Sequence, residues 1–218
     1  MSNTIISFIK DGTIRKYPLL KLWRNRKSSY LYLSGWERSF REKRPVTLEG
    51  EPIPWLSLPM VKLLEERLRD THTVFEYGSG NSTLFFASRV RQVVSIEYDE
   101  KWKQEIQGQI NSPKVQIYYF DYRDPEYVNS IRSLSEDRYS IVLIDGRNRV
   151  ECCKAAVSKL KDDGVILLDD SHRPRYREGY DFVLAKGFKK LDFWGMGPGS
   201  IGLKCTTVFY RPNNCLDI

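Results

Sequence analysis

The sequence predicts an α/β fold built on a doubly wound, mostly parallel sheet. Short apolar runs without strict alternation recur between amphipathic stretches, as in strands covered on both faces. A glycine turn joins the first of these runs to a helical segment. The last two runs flank a glycine-rich loop, residues 195–202, that cannot hold a helix, so the sheet closes in an antiparallel hairpin.

Each element follows from local chemistry. Residues 1–45 are basic and aromatic with no clear period. Pro45, Pro52 and Pro54 then mark an extended linker that includes Trp55, because proline fixes its own φ and holds its predecessor out of the helical region. Residues 1–58 are therefore expected to pack as a basic extension and linker on a core domain of residues 59–218. Met60, Leu63, Leu64 and Leu68 recur at helical spacing over 59–69. Strands are expected at 73–77, 92–97, 115–120, 139–145 and 165–169, and at 188–194 and 204–211 for the hairpin. Together they make a seven-stranded sheet. Helices are expected over 82–88, with Asn81 or Ser82 as cap, over 101–109, and over 150–160, with Asp162, Asp163 and Gly164 as a stop.

Composition narrows the function classes. The 218 residues are 41% hydrophobic and 29% charged, ordinary for a globular domain. No apolar run reaches the roughly 20 residues of a membrane span. The run at residues 5–9 is too short for a secretory leader. Cys152, Cys153, Cys205 and Cys215 have no metal-ligand spacing, and only His72 and His172 could assist them, so reduced, buried thiols and a cytoplasmic location are expected. The net charge is +7, and residues 1–50 hold the whole excess. Such a segment suits nucleic acid, a membrane surface or an acidic substrate, and equally a solvated face.

The chemistry concentrates at predicted strand ends. Glu76-Tyr77-Gly78-Ser79-Gly80 follows the first strand, with Ser82 just beyond. Glycines let the backbone turn sharply and approach a ligand, and the next helix offers free N–H groups. Thr83 stands where a dinucleotide fingerprint needs its third glycine, so that fingerprint is incomplete. An acid at Glu76 would repel a phosphate and attract a sulfonium or amine. Glu97, with Tyr98 after it, ends the second strand about 20 residues on, where an acid accepts hydrogen bonds from ribose hydroxyls. Asp121 follows the third strand, Asp145 the fourth, and Asp169 and Asp170 the fifth. Ligands of open α/β sheets bind beyond these carboxyl ends. Any one of the residues could be a turn or a helix cap; the conjunction is the signal.

With these motifs the chain resembles the class I S-adenosylmethionine (SAM)-dependent methyltransferases, which have a Rossmann-like fold, over residues 59–211. Residues 76–80 match the glycine-rich first motif, Glu97 the ribose-binding acid, Asp121 the position near adenine, and Asp145 the acid near the methionine moiety or acceptor. The resemblance implies SAM as cofactor and S-adenosylhomocysteine (SAH) as product. Within that superfamily the catechol O-methyltransferases hold a divalent ion with an acid after the fourth strand and an Asp-Asn pair after the fifth. Asp145, Asp169 and Asp170 look similar, although Asp170 replaces the amide. A metal-free site is the main expectation, and this carboxylate set, which would suit Mg²⁺ or Ca²⁺, is the alternative.

Methyl transfer to oxygen requires alignment and usually a base. Asp145, Asp169 and His172 are the catalytic candidates. Arg147, Arg149 and Arg173, with Arg175 and Arg177 nearby, suit an anionic small-molecule or saccharide acceptor, and Trp55 could lie over it. Three rivals remain: an RNA methyltransferase using the basic segment with Tyr30, Tyr32 and Trp36 as stacking groups, an aminopropyl transferase, and a non-catalytic SAM-binding module. No Asn/Asp-Pro-Pro-Tyr/Phe motif for exocyclic amines is present.

Overall fold

A computed structural model of the chain describes residues 26–134 and 138–218. Most of the basic segment, residues 1–25, lies outside the described residues. Two short helices, α1 (Tyr30–Leu33) and α2 (Trp36–Glu42), precede the core. The core runs α3 (Leu58–Arg67), β1 (Thr73–Tyr77), α4 (Asn81–Ala87), β2 (Gln92–Glu97), α5 (Glu100–Gln107), β3 (Val115–Tyr119), α6 (Pro125–Ser133) and β4 (Tyr139–Ile144). It continues through α7 (Arg149–Lys159), β5 (Leu160–Asp169), α8 (Arg177–Ala185), β6 (Lys189–Met196) and β7 (Leu203–Tyr210).

The seven strands form one sheet in the order β3-β2-β1-β4-β5-β7-β6. The first five run parallel. β7 inserts antiparallel between β5 and β6. All five residues of β1 and all six of β4 are buried, which is why neither strand alternates in sequence. One face of the sheet packs Met60, Leu64, Phe85, Phe86, Leu167 and Val208. The other packs Phe75, Ile96, Tyr127, Tyr139, Val142 and Phe209. Each such side chain contributes about 1.5–3 kcal/mol by leaving water. The chain order reverses direction between β1 and β4, which places the ligand crevice at the carboxyl ends of those two strands.

The linker joins the first of these faces. Val46, Ile53 and Leu56 are buried. Asn81 Nδ2 donates to the Pro45 carbonyl at 2.7 Å, and the Ser57 amide donates to Thr206 Oγ1 at 3.0 Å. Trp36, a stacking candidate, donates its indole N–H to the Ser200 carbonyl at 2.8 Å and stacks on Phe40. Tyr30 stays exposed.

Several local expectations are corrected. The helix after β4 ends at Lys159, and Leu160 already belongs to β5, opposite Tyr139. Burial of Leu160 favours strand pairing there, so Asp162, Asp163 and Gly164 form a bulge in which the step from Leu160 to Val165 faces only Tyr139 to Ile141. Neither Asn81 nor Ser82 caps α4: Gly80 is the N-cap, and its amide donates to Thr83 Oγ1 at 3.0 Å. The α3 helix starts at Leu58 and stops at Arg67. Sequence reading also missed α6 and α8. The Asp124 carboxylate caps α6 ahead of Pro125, and α6 buries Tyr127 and Ile131 one turn apart. Buried Tyr180 and Val183 anchor α8. The helices α1 and α2 are too short to show a period. Among the described residues, no helix is long and apolar enough to cross a membrane.

Candidate functional site

Two adjoining clefts open at the carboxyl edge of the sheet. The first, of about 350 Å³, is lined by Gly78, Ser79, Ser82, Glu97, Tyr98, Asp99, Trp102, Asp145 and Gly146. Its floor is the contact between the turns after β1 and β4. Gly78 has φ +102°, and a Cβ there would lie 3.3 Å from the Gly146 amide nitrogen. A Cβ on Gly146 would lie 2.1 Å from the Tyr127 hydroxyl. Only glycine at both positions lets the two loops touch and leave room for a ligand.

Glu97 governs the rim. One of its carboxylate oxygens accepts from the Ser79 amide and hydroxyl, each at 2.9 Å. The other accepts from the amides of Tyr98 and Asp99, at 2.9 and 3.0 Å. A carboxylate has about four acceptor positions, so the Ser79 hydroxyl stands where a ligand hydroxyl would bind and can rotate away. Trp102 donates its indole N–H to the Ser79 carbonyl at 2.8 Å, pinning the turn from the other side.

Glu76 and Tyr77 do not line this cleft. Glu76 is fully buried beneath the turn, where it accepts from the Thr83 hydroxyl and, at 2.5 Å, from Ser95. Its second oxygen has no hydrogen-bond partner among the described residues. Burial outweighs those hydroxyls and pushes its pKa up to about 7. Glu76 therefore shapes the turn from below. Tyr77 points into the opposite face and donates to the Val128 carbonyl at 2.7 Å. Asp121 lies on the exposed loop after β3, and its carboxylate chelates Arg123 instead of lining the cleft.

The second cleft, of about 440 Å³, shares Tyr98, Asp145 and Gly146 with the first and adds Arg147, Asn148, Arg149, Arg173, Arg175 and Tyr176. The structure thus gathers four of the five predicted arginines. Arg177 instead pairs with Asp181. Arg147 reaches the Tyr98 hydroxyl at 3.1 Å and lies over that ring. Arg149 is nearly buried and fully committed. Its Nε donates to the Gly146 carbonyl at 3.0 Å, Nη1 to the Asp169 carbonyl at 2.6 Å, and Nη2 to Asp145 Oδ1 at 2.7 Å. It ties the ends of β4 and β5 together. Asn148 (φ +49°) and Asp170 (φ +53°) sit in left-handed backbone at those ends, a conformation in which Asn and Asp are tolerated better than other side chains.

Asp145 keeps 29% of its side chain open to the clefts. Enclosure by the surrounding protein and the nearby Asp169 carboxylate push its pKa above the usual carboxylate range, against the opposing pull of Arg149 and Lys204. Asp169 is fully buried, and its Oδ2 lies 2.7 Å from Lys204 Nζ. Asp170 pairs with Arg173 at 2.8 Å. His172 lies outside both clefts. Its Nδ1 accepts from the Cys205 amide at 3.3 Å, and its ring faces Trp194 in a neighbouring hollow. Trp55 is half exposed beside Gly197 on the hairpin loop and lines neither cleft. All four cysteines are buried.

Sequence reasoning missed Trp102, Tyr127 and Lys204. Trp102 had a readable signal: Asp99 caps α5, which places Trp102 in its first turn, facing back toward the glycine turn. Among the described residues, no cluster of three or more His, Cys, Asp or Glu is placed to hold a metal ion. The three carboxylates that resemble a metal set already contact Arg149, Arg173 and Lys204.

This strand order, with the inserted antiparallel β7, is a fold the chain shares with solved structures of methyltransferases and a spermidine synthase. No family model and no curated protein sequence matches the chain; solved structures do. The precorrin-6y C5,15-methyltransferase of Geobacter metallireducens superposes with TM-score 0.56 at 16% identity, over 71% of this chain and 88% of that one. An O-methyltransferase of Bacillus cereus in complex with SAH gives TM-score 0.56 at 17% identity, over 68% and 77%. The spermidine synthase of Thermotoga maritima gives 0.52 at 15%, over 70% of this chain and 57% of that one.

Proposed function

We propose that the chain is a SAM-dependent methyltransferase acting at an oxygen of an anionic small-molecule or saccharide acceptor. The observation that carries this reading is the continuity of the two clefts. One has the glycine turn and Glu97 expected around a nucleoside. The other is lined by arginines, and Asp145 stands at their junction. SAM supplies an electrophilic methyl carbon on a sulfonium, and the chain's own residues do the rest. Glu97 holds a ribose hydroxyl at the position that the Ser79 hydroxyl gives up. Gly78 and Gly146 let the ligand approach backbone. Arg147, Arg173 and Arg175 hold the anionic group and orient the acceptor hydroxyl for in-line attack. Asp145 is placed to take the proton from the acceptor hydroxyl, to which SAM, when bound, would supply the methyl group. The cationic cleft argues against a polyamine acceptor, and so against aminopropyl transfer.

A base must be unprotonated to act. With the Asp145 pKa raised by its enclosure and the nearby Asp169 carboxylate, turnover is expected to climb with rising pH and level off once that carboxyl is ionised. Asp145→Asn should remove the climb and lower kcat by roughly 10²–10⁴-fold. A flat wild-type profile between pH 6 and 9 would remove Asp145 from this role.

The acceptor class is tested by screening methyl transfer from labelled SAM to phosphorylated, carboxylated and neutral hydroxyl compounds. Arg147→Ala with Arg173→Ala should raise KM for the anionic acceptor by about ten-fold or more while leaving SAH affinity unchanged. Equal turnover of neutral and anionic acceptors, or an unchanged KM, would sink the anionic assignment.

A further inference from the structure

The hairpin carries an apolar tip that the fold leaves uncovered. Ile201 and Leu203 are 77% and 68% exposed, the highest values for large apolar side chains among the described residues. The loop that presents them is held in place. Its Ser200 carbonyl accepts from the Trp36 indole at 2.8 Å. Gly199, at φ +62°, lies so close to α2 that a Cβ there would come within 2.7 Å of the Phe40 amide nitrogen. On the other side Gly197 lies against Trp55, whose ring would be 3.6 Å from a Cβ at that glycine. Phe40 and Trp55, each about half exposed, therefore flank the tip. Single exposed hydrophobics are ordinary; four gathered on one braced loop and its two supports mark an interaction surface.

The charge beside this patch is positive. Phe40 belongs to α2, which runs on into Arg41, Lys43 and Arg44. Both acids of α2 are already matched, Glu37 by Arg26 and Glu42 by Arg38, which leaves Arg41 and Lys43 as surplus positive charge on this helix. Residues 1–50, of which α2 is part, hold the whole +7 excess of the chain. Exposed aliphatic and aromatic side chains next to unmatched Lys and Arg are the chemistry of a surface that enters the headgroup layer of an anionic bilayer. Strand pairing adds a direction. Leu203 pairs with Met196 at the tip, and Thr206 of the same strand pairs with Asp169 at the carboxyl end of β5. The patch thus lies at the edge of the sheet where the two clefts open.

We propose that the hairpin tip, with Phe40 and Trp55, docks on the surface of an anionic lipid bilayer. Ile201 and Leu203 enter the boundary between headgroups and acyl chains, and Arg41 and Lys43 draw the anionic headgroups. The docking claim stands apart from methyl transfer. Only its consequence, that the acceptor is carried on a lipid headgroup brought up to the clefts, rests on the proposed function.

The test sediments the full chain with vesicles of phosphatidylcholine containing about 30% phosphatidylserine, and with phosphatidylcholine alone. Wild type should bind the anionic vesicles about ten-fold more strongly or better, and lose most of that binding between about 0.1 and 1 M NaCl. Ile201→Asp with Leu203→Asp should weaken it about ten-fold or more. Arg41→Ala with Lys43→Ala should weaken it by about the same factor. All four side chains are exposed, and circular dichroism checks the fold. If the aspartates perturb the hairpin, Ile201→Ser with Leu203→Ser removes the apolar surface without adding charge. The proposal is overturned if wild type ignores anionic vesicles, if it binds neutral ones equally, or if a folded tip variant binds as wild type does. It is also overturned if light scattering shows a wild-type dimer that the tip variant dissolves, which would make the patch an interface between copies. None of these readouts needs SAM or an acceptor, so failure here is distinguishable from failure of the methyltransferase reading.

Discussion

Arg149→Met should cost about 3–5 kcal/mol of stability, the usual consequence of leaving buried charges without their partner. For a chain of this size that is a fall in melting temperature of roughly 10 °C. Arg149 keeps only 10% of its side chain exposed. Its guanidinium closes the carbonyls of Gly146, Asp145 and Asp169 and the Asp145 carboxylate in one planar fork. Methionine fills the volume but strands three carbonyls and shifts the balance around Asp145 and Asp169 toward negative. Arg149→Lys restores the charge without the fork and should recover less than half of the loss. Differential scanning calorimetry of the three proteins checks this. A change below about 1 kcal/mol for Arg149→Met would mean that the strand ends do not depend on the tie.

Glu97→Ala should weaken SAH binding by about 10- to 100-fold. The hydrogen bond from a ribose hydroxyl that takes the place of the Ser79 hydroxyl on this carboxylate contributes roughly 1.5–3 kcal/mol. The substitution also releases the Ser79, Tyr98 and Asp99 amides that Glu97 now organises, so the glycine turn loses its rim. Glu97→Asp keeps the charge one methylene short and should fall between. Titration calorimetry of the three proteins reads the order directly, and equal affinities would place the nucleoside elsewhere.

The contrast between Glu97 and Lys204 shows what a sequence can disclose. The place of Glu97 beside the glycine turn was legible because it follows from local order: strand, glycine turn, second strand, acid. The same logic brought Gly78 and Asp145 to the clefts, and it placed the final hairpin within two residues of β6 and β7. Lys204 was opaque because its meaning comes from register. It lies on a strand inserted beside β5, and nothing near it in sequence says that Asp169 is its neighbour. Tyr127 was hidden the same way: its hydroxyl accepts from the Arg147 amide across 20 residues. Glu76 was identified from its position, but its environment is set by Thr83 and Ser95, which bury it beneath the turn instead of presenting it to a ligand. For the arginines, sequence supplied the crowd. Only the structure separates Arg149, spent on backbone carbonyls, from Arg147 and Arg175 at the cleft wall.

The most direct test of the central claim is a calorimetric titration of the wild-type chain with SAH, run beside decarboxylated SAM. Micromolar binding of SAH, with decarboxylated SAM clearly weaker, is the predicted result and would place a methyl-transfer cofactor in the Glu97 cleft. No heat with SAH, or a preference for decarboxylated SAM, would contradict the methyltransferase reading of this site.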